Sequence, residues 1–290
     1  MKRLLLGFVA LLPLAFSACE SLNGLNVGGM GLPSNIDFGK INKAAVAIRK
    51  GTEDISESEE YYIGRAVSAQ ILGRYKPLND SKLNNYAQKV AEAVAMASDR
   101  PAVYKGWHVQ LLDTDEVNAF AAPGGFLFVT RGMLKLVRSE DELACVLAHE
   151  VAHVAKKHGL KTIQTSRLTQ AFTLLGSEAA KGHTPEQVKQ LTGLFEGAVD
   201  DVVNKLVVNG YSRDKEYEAD RLGAQYARNA NYDPGALKAF LARLGTTHLS
   251  GGMFKTHPDA NKRVAELGDL SPSSDFRRSP ARAKRFSSYL

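Results

Sequence analysis

Cysteine is nearly absent from this 290-residue chain, which has only Cys19 and Cys145. No disulfide framework can hold the fold, so stability has to come from a hydrophobic core. The roughly 230 residues expected to be ordered are enough to build one. Long apolar runs are also missing. The run from Leu4 to Phe16 is shorter than the roughly 20 residues a spanning helix needs. The net charge of +6 comes from the two ends. Lys2 and Arg3 lie at the start, and Arg277, Arg278, Arg282, Lys284 and Arg285 lie in the tail with only Asp275 against them. Residues 19–270 carry as many acids as bases, so the body has no excess of basic charge and no nucleic-acid partner is indicated.

What the chain does have is His149-Glu150-Val151-Ala152-His153 inside a helical pattern. Ser139 with Glu142 forms a capping box, and Leu143, Val146, Leu147, Val151 and Val154 recur at helical spacing until Gly159 offers a C-cap, so a helix is expected over 140–158. Residues four apart share a helix face, so His149 and His153 can reach one tetrahedral Zn²⁺, with Glu150 beside the open position as general base. Ala144, Ala148, Ala152 and Ala155 are small, which points to a helix packed on several sides. Burying this trio is costly without a compensating cation, which argues against a solvated face that merely carries two histidines. A third ligand is needed. Ser212 reads as the N-cap of a helix over 212–229 that places Glu216 and Asp220 one turn apart. Glu216 can bind the metal while Asp220 accepts the free N–H of a ligand imidazole. Cys145 lies about 12 Å along the helix axis from His153, too far to share the ion, and reads as a buried small residue.

In this order and spacing, His149-Glu150-x-x-His153 and Glu216-x-x-x-Asp220 resemble the gluzincin peptidases of the HtpX and CAAX prenyl protease type, in particular their soluble periplasmic lipoprotein branch. Asn118-Ala119-Phe120-Ala121-Ala122-Pro123-Gly124-Gly125 is similar to the family's strand and turn ahead of the zinc helix, and Thr256-His257-Pro258 with Arg263 to its C-terminal His-Pro segment. Nothing resembles tetratricopeptide repeats, which favours the small members. The resemblance implies one Zn²⁺ per chain on His149, His153 and Glu216, with Glu150 as catalytic base and Asp220 in support. It brings His257 near the site, either donating to the oxyanion or occupying the open metal position. It gives Asn118 and Ala119, on an edge strand, the task of holding substrate backbone. It also implies an endopeptidase acting on unfolded or misassembled cell-envelope proteins. The competing function is a zinc-stabilised periplasmic chaperone-like binding protein with little or latent proteolysis; the presence of Glu150 favours the enzyme. No motif for capturing a chain terminus supports an exopeptidase.

Residues 1–18 read as a signal peptide, ending at a small pair before Cys19 that resembles a bacterial lipobox. Cys19 would carry the lipid, 19–39 would be a flexible tether, and Glu20 in place of Asp favours the inner leaflet of the outer membrane. Cleavage after Ser17, giving a free periplasmic product, is the alternative. The expected fold is α+β, mainly α: a zincin-like metallopeptidase domain over 40–270 with a small sheet beside the zinc helix, then a basic disordered tail over 271–290. Strands are expected at 107–111, 118–121 and 126–130. Further helices are expected at about 56–73, 80–98, 160–181, 185–208, 234–244 and 258–267. The pair between 160 and 208 is placed to act as a lid. His108, His158, His183 and His248 have no partner pattern and read as structural or exposed.

Overall fold

Residues 55–163, 185–246, 252–257, 259–270 and 279–290 are described in the structure, a computed structural model. They all belong to the second of two units, Met1–Lys43 and Ala44–Leu290. The expected signal peptide, Cys19, the tether, His183, His248, Pro258 and most of the helix expected at 160–181 lie outside the described residues. Of that last helix only a 3₁₀ turn over Leu160–Thr162 is described.

Helix α1 (Glu57–Arg74) starts at the Ser56/Glu59 capping box, and α2 (Ser81–Met96) at Asp80, whose side chain accepts from Leu83 N–H. Three strands follow: β1 (His108–Leu112), β2 (Ala119–Ala122) and β3 (Phe126–Thr130). The Pro123-Gly124-Gly125 turn folds β2 antiparallel onto β3, and β1 pairs with the other side of β3 in parallel, giving the order β1-β3-β2. Gly124 sits at φ +74°, and a Cβ there would lie 2.8 Å from Tyr61 Cα. The buried Glu60 carboxylate accepts Gly124 N–H at 2.9 Å and an Arg100 N–H at 2.9 Å, which pins the turn to α1.

Period-two alternation sends the sheet's side chains to two cores. Leu111, Ala119, Ala121, Leu127 and Val129 face a cluster built from α2, α4 (Glu140–Ala155), α6 (Arg213–Asn229) and α7 (Gly235–Thr246). Leu112, Phe120, Ala122 and Phe128 face a second cluster with α1 and α5 (Pro185–Val203). The short helix α3 (Arg131–Leu136) joins β3 to α4. The α+β, mainly helical architecture is therefore as expected, with the sheet packed directly on the histidine-bearing helix α4.

Several details differ from expectation. Of the segment expected as a lid, the C-terminal half of α5 is packed on α1, with Ala198, Val199, Val202 and Val203 buried against Ile63, Val67 and Ile71. It runs on into a π-helical turn over Asn204–Asn209. A one-turn helix α8 (Met253–Thr256) precedes α9 (Ala260–Glu266), so His257 ends a helix and does not start one. The tail expected to be disordered forms α10 (Pro280–Tyr289) over its described part. Buried Glu140 draws it in, because Arg285 Nε donates to that carboxylate at 2.7 Å and Tyr289 stacks on Tyr86. Composition alone does not reveal that a buried acid waits on α4 for this arginine.

Candidate metal centre

His149 and His153 come from the last two turns of α4, as their spacing requires, and both are 1 % exposed. The helix ends earlier than Gly159. Lys157 takes the left-handed conformation (φ 55°), His158 N–H bonds His153 C=O at 2.9 Å and Lys157 N–H bonds Val154 C=O at 2.9 Å. This is a Schellman motif, and it folds His158 back beside His153. Glu216 and Asp220 reach the same place from α6, across a helix contact so close that a Cβ on Gly223 would lie 2.9 Å from His149 N. Ser212 precedes α6 without a side-chain cap bond.

Four buried donors converge: His149, His153, Glu216 and His257. His149 Nε2 lies 3.0 Å from His153 Nε2 and 3.6 Å from Glu216 Oε2, and His153 Nε2 lies 3.5 Å from Glu216 Oε1. His257 Nδ1 is 3.3 Å from His149 Nε2 and 3.0 Å from Glu216 Oε2. A tetrahedral ion held at about 2.0–2.1 Å keeps its donors roughly 3.3 Å apart, so these separations match the edges of such a tetrahedron.

Hydrogen bonding explains why these atoms can face one another. Asp220 Oδ1 accepts from His149 Nδ1 at 2.9 Å, which leaves the Nε2 lone pair pointing inward. His153 Nδ1 is engaged at 2.8 Å by His158 Nδ1, so its Nε2 also faces the centre. Two imidazole lone pairs 3.0 Å apart repel unless a cation lies between them. The donor set therefore fits a metal.

Charge around the cluster is balanced by Arg263, 1 % exposed, which donates to Asp220 through Nε (2.7 Å) and Nη2 (2.6 Å). Burial alone would raise the Asp220 pKa, but this guanidinium holds it well below the carboxylate range. Glu216 is lowered in the same way, with His257 and Arg263 outweighing burial. Glu150 differs. Burial dominates and raises its pKa, and its Oε1 has no hydrogen-bond partner among the described residues. A carboxyl poised this way beside a metal can hold a water and take its proton.

Asn118 and Ala119 do lie at a sheet edge, since β2 is terminal in the sheet. Thr130 N–H bonds Asn118 C=O, so antiparallel alternation turns the free N–H and C=O of Ala119 and Ala121 outward. That edge is occupied along its first residues. Met253 N–H bonds Val117 C=O at 2.9 Å, Thr256 Oγ1 donates to Asn118 Oδ1 at 3.2 Å, and His257 Nε2 lies 3.3 Å from Ala119 C=O.

Three residues near the centre were given no role by sequence reasoning. Arg263 entered only through the family resemblance. His158, 2 % exposed, was read as structural; its place five residues beyond His153, at the C″ position of a Schellman motif, was the available signal. Tyr211 stacks on His153 (4.3 Å between centroids, 15° between planes), and its buried hydroxyl has no partner among the described residues. Its position just before a helix start carried no signal.

A histidine helix resting on a small sheet, a glutamate crossing to it from a second helix, and a buried acid beside the metal position define the class: a zincin-like metallopeptidase domain. The profile of peptidase family M48 matches residues 81–271, more than half of the chain. The chain belongs to that family. Curated relatives include the beta-barrel assembly-enhancing protease of Escherichia coli (27 % identical over 220 residues, 73 % of this chain and 44 % of the relative) and that of Yersinia pestis (27 % over 243 residues, 81 % and 47 %). Another is the mitochondrial metalloendopeptidase OMA1 of Schizosaccharomyces pombe (28 % over 176 residues, 59 % and 49 %). The chain spans under half the length of each of these relatives. Among the described residues no helix is long and apolar enough to cross a membrane.

Proposed function

We propose that this protein is a zinc-dependent endopeptidase that cuts unfolded or misassembled proteins of the bacterial cell envelope. The observation that carries the reading is the buried Glu150 carboxylate oxygen, without a hydrogen bond among the described residues and 3.7 Å from His257 Nε2, beside the convergent His149, His153 and Glu216 donors. A structural metal site has no use for a base at that position. Zinc is the ion that suits two imidazoles and a carboxylate, and when bound it acidifies water and polarises the scissile carbonyl. Glu150 takes the water's proton at Oε1 and returns it to the leaving amine. Asp220, braced by Arg263, holds His149 in the ligating tautomer. Extended substrate backbone pairs with the outward groups of Ala119, on the edge that opens at Asn118, whose own backbone is bonded to Thr130, giving binding that tolerates many sequences.

In that scheme His257 has two positions. With Nδ1 at the fourth vertex of the donor set, it holds the enzyme latent, and the α8 segment covers the edge that substrate would use. Moved away together, they free the open position and the β2 edge, and His257 becomes a donor to the oxyanion. The same covered edge supports the second reading, a zinc-stabilised binding protein that rarely cuts. The envelope setting is supported by the name of the beta-barrel assembly-enhancing relatives and by the expected signal peptide over 1–18, and in this reading Cys19 bears a lipid that anchors the chain to the outer membrane. Loss of labelled-lipid incorporation in Cys19→Ala is the check on that anchor.

The deciding experiment is casein cleavage by the zinc-loaded protein, by Glu150→Gln and by His257→Ala, with metal content measured in each. Cleavage lost in Glu150→Gln with zinc retained supports the enzyme, and faster cleavage by His257→Ala supports latency. No cleavage by wild type or His257→Ala, both holding zinc, would favour the binding protein.

A further inference from the structure

The hydrogen bonds behind His153 continue past the metal donors to the protein surface. His153 Nδ1 lies 2.8 Å from His158 Nδ1, His158 Nε2 lies 3.2 Å from Glu218 Oε2, and Lys215 Nζ donates to that same oxygen at 3.0 Å. Directions along this chain follow from its far end. A carboxylate only accepts, so Glu218 requires the proton of His158 on Nε2. A neutral imidazole protonated at Nε2 accepts at Nδ1, so His158 requires the proton of His153 on Nδ1. That is the single neutral tautomer of His153 whose Nε2 lone pair is free to ligate. Lys215, 36 % exposed, keeps Glu218 ionised and aimed at His158.

The geometry is set by two separate parts of the chain. The Schellman turn at the end of α4 brings its C″ residue against C3, a place usually taken by an apolar contact. Here C″ is His158 and C3 is His153. Glu218 is two residues beyond the metal-facing Glu216 on α6, so it leaves that helix on another side and reaches the far nitrogen of His158.

We propose that His158 and Glu218 are positioning residues that fix the tautomer and orientation of His153, so that Glu218, remote from the reacting atoms, sets the affinity of the centre for its metal. The inference rests on the metal reading of the His149, His153 and Glu216 set, and it is tested by metal binding without any need for turnover. It parallels the support that Asp220 gives to His149, with a second imidazole, His158, interposed between ligand and acid.

The test is the Zn²⁺ dissociation constant of the full chain, measured by chelator competition, in a Glu150→Gln background so that self-cleavage cannot intervene. Glu218→Ala is expected to weaken zinc about tenfold, within the roughly 10- to 100-fold range for lost partners of metal ligands. Glu218→Gln is expected to stay within about threefold of the parent, because its amide oxygen still accepts the His158 proton. Glu218 is partly exposed, so both variants should fold, and unchanged melting of the metal-stripped proteins checks this. His158→Phe, which keeps a ring in place, should lose at least as much affinity and alter the visible spectrum of the cobalt-substituted protein. Zinc affinity within about threefold of the parent in Glu218→Ala overturns the proposal, as does an equal loss in Glu218→Ala and Glu218→Gln. Graded affinities in a chain whose Glu150-containing form cuts nothing, either with His257 present or as His257→Ala, would refute the peptidase reading and leave this inference standing. A chain that binds no zinc refutes both.

Discussion

Gly223→Ala adds one methyl group where α6 crosses α4. Its Cβ would lie 2.9 Å from His149 N, 3.0 Å from His149 Cα and 3.2 Å from Ala148 C, all backbone atoms that cannot swing aside. Ordinary contact needs about 3.4–4 Å, so the helices must separate by roughly half an ångström or more. Two effects then compete. Alanine raises helix propensity by about 0.5–1 kcal/mol over glycine, while overpacking a tight contact costs about 1–3 kcal/mol. The second is larger, and at roughly 2–4 °C per kcal/mol the metal-stripped protein should melt several degrees lower. Zinc binding has no such compensation. Glu216 and Asp220 travel with α6, and metal–ligand distances tolerate only about 0.2 Å, so affinity should fall at least about tenfold. Gly73→Ala is the control: nothing beyond its own stretch of helix backbone lies within 4 Å of its Cβ, and it should stabilise by about 0.5–1 kcal/mol with zinc affinity unchanged. Scanning calorimetry with chelator competition reads both quantities. A Gly223→Ala protein that behaves like Gly73→Ala would refute the argument from close approach.

Zinc removal should destabilise the chain, since an ion present at 100 times its dissociation constant contributes about 2.7 kcal/mol; melting that is unchanged after verified stripping would count against a folded-state site. Burial pushes the Cys145 thiol pKa up, so a disulfide reagent at pH 8 should label it only on unfolding, and fast labelling of the native protein would contradict its placement. Arg285→Ala should cost about 1 kcal/mol in chemical denaturation, discounted because the arginine is half exposed, and should release α10 to proteolysis. The Asp115 carboxyl is held down to about 2 by Lys135 and then Arg131. Because its folded pKa is depressed, its contribution is present above the ordinary aspartate value and fades as pH falls toward 2. NMR titration should show this, with the midpoint rising in Lys135→Ala.

Much of the centre was legible in the chain because it is local. Residues four apart on a helix share a face whatever surrounds them, so His149 with His153, and Glu216 with Asp220, were identifiable as pairs before any fold was known. Alternation placed the three strands, and the Ser139/Glu142 pair placed the start of α4 close to where it occurs. Reading by composition failed where a partner far along the chain decides the outcome. The basic tail had no local reason to fold, yet Glu140 on α4 gives Arg285 a buried acceptor. His158 looked idle in a linear reading because its two partners come from a helix end that turns back on itself and from a helix about sixty residues on.

The sequence by itself determined the metal-binding chemistry: which side chains can ligate, which can act as base, and the helices that carry them, since these follow from side-chain identity and the 3.6-residue period. Only the tertiary structure decided how α4 and α6 approach at Gly223, that His257 joins the donor set, that the α8 segment lies along the β2 edge, and which atoms stand behind each imidazole. Those depend on packing between segments more than a hundred residues apart in some cases, and no short-range regularity encodes such contacts.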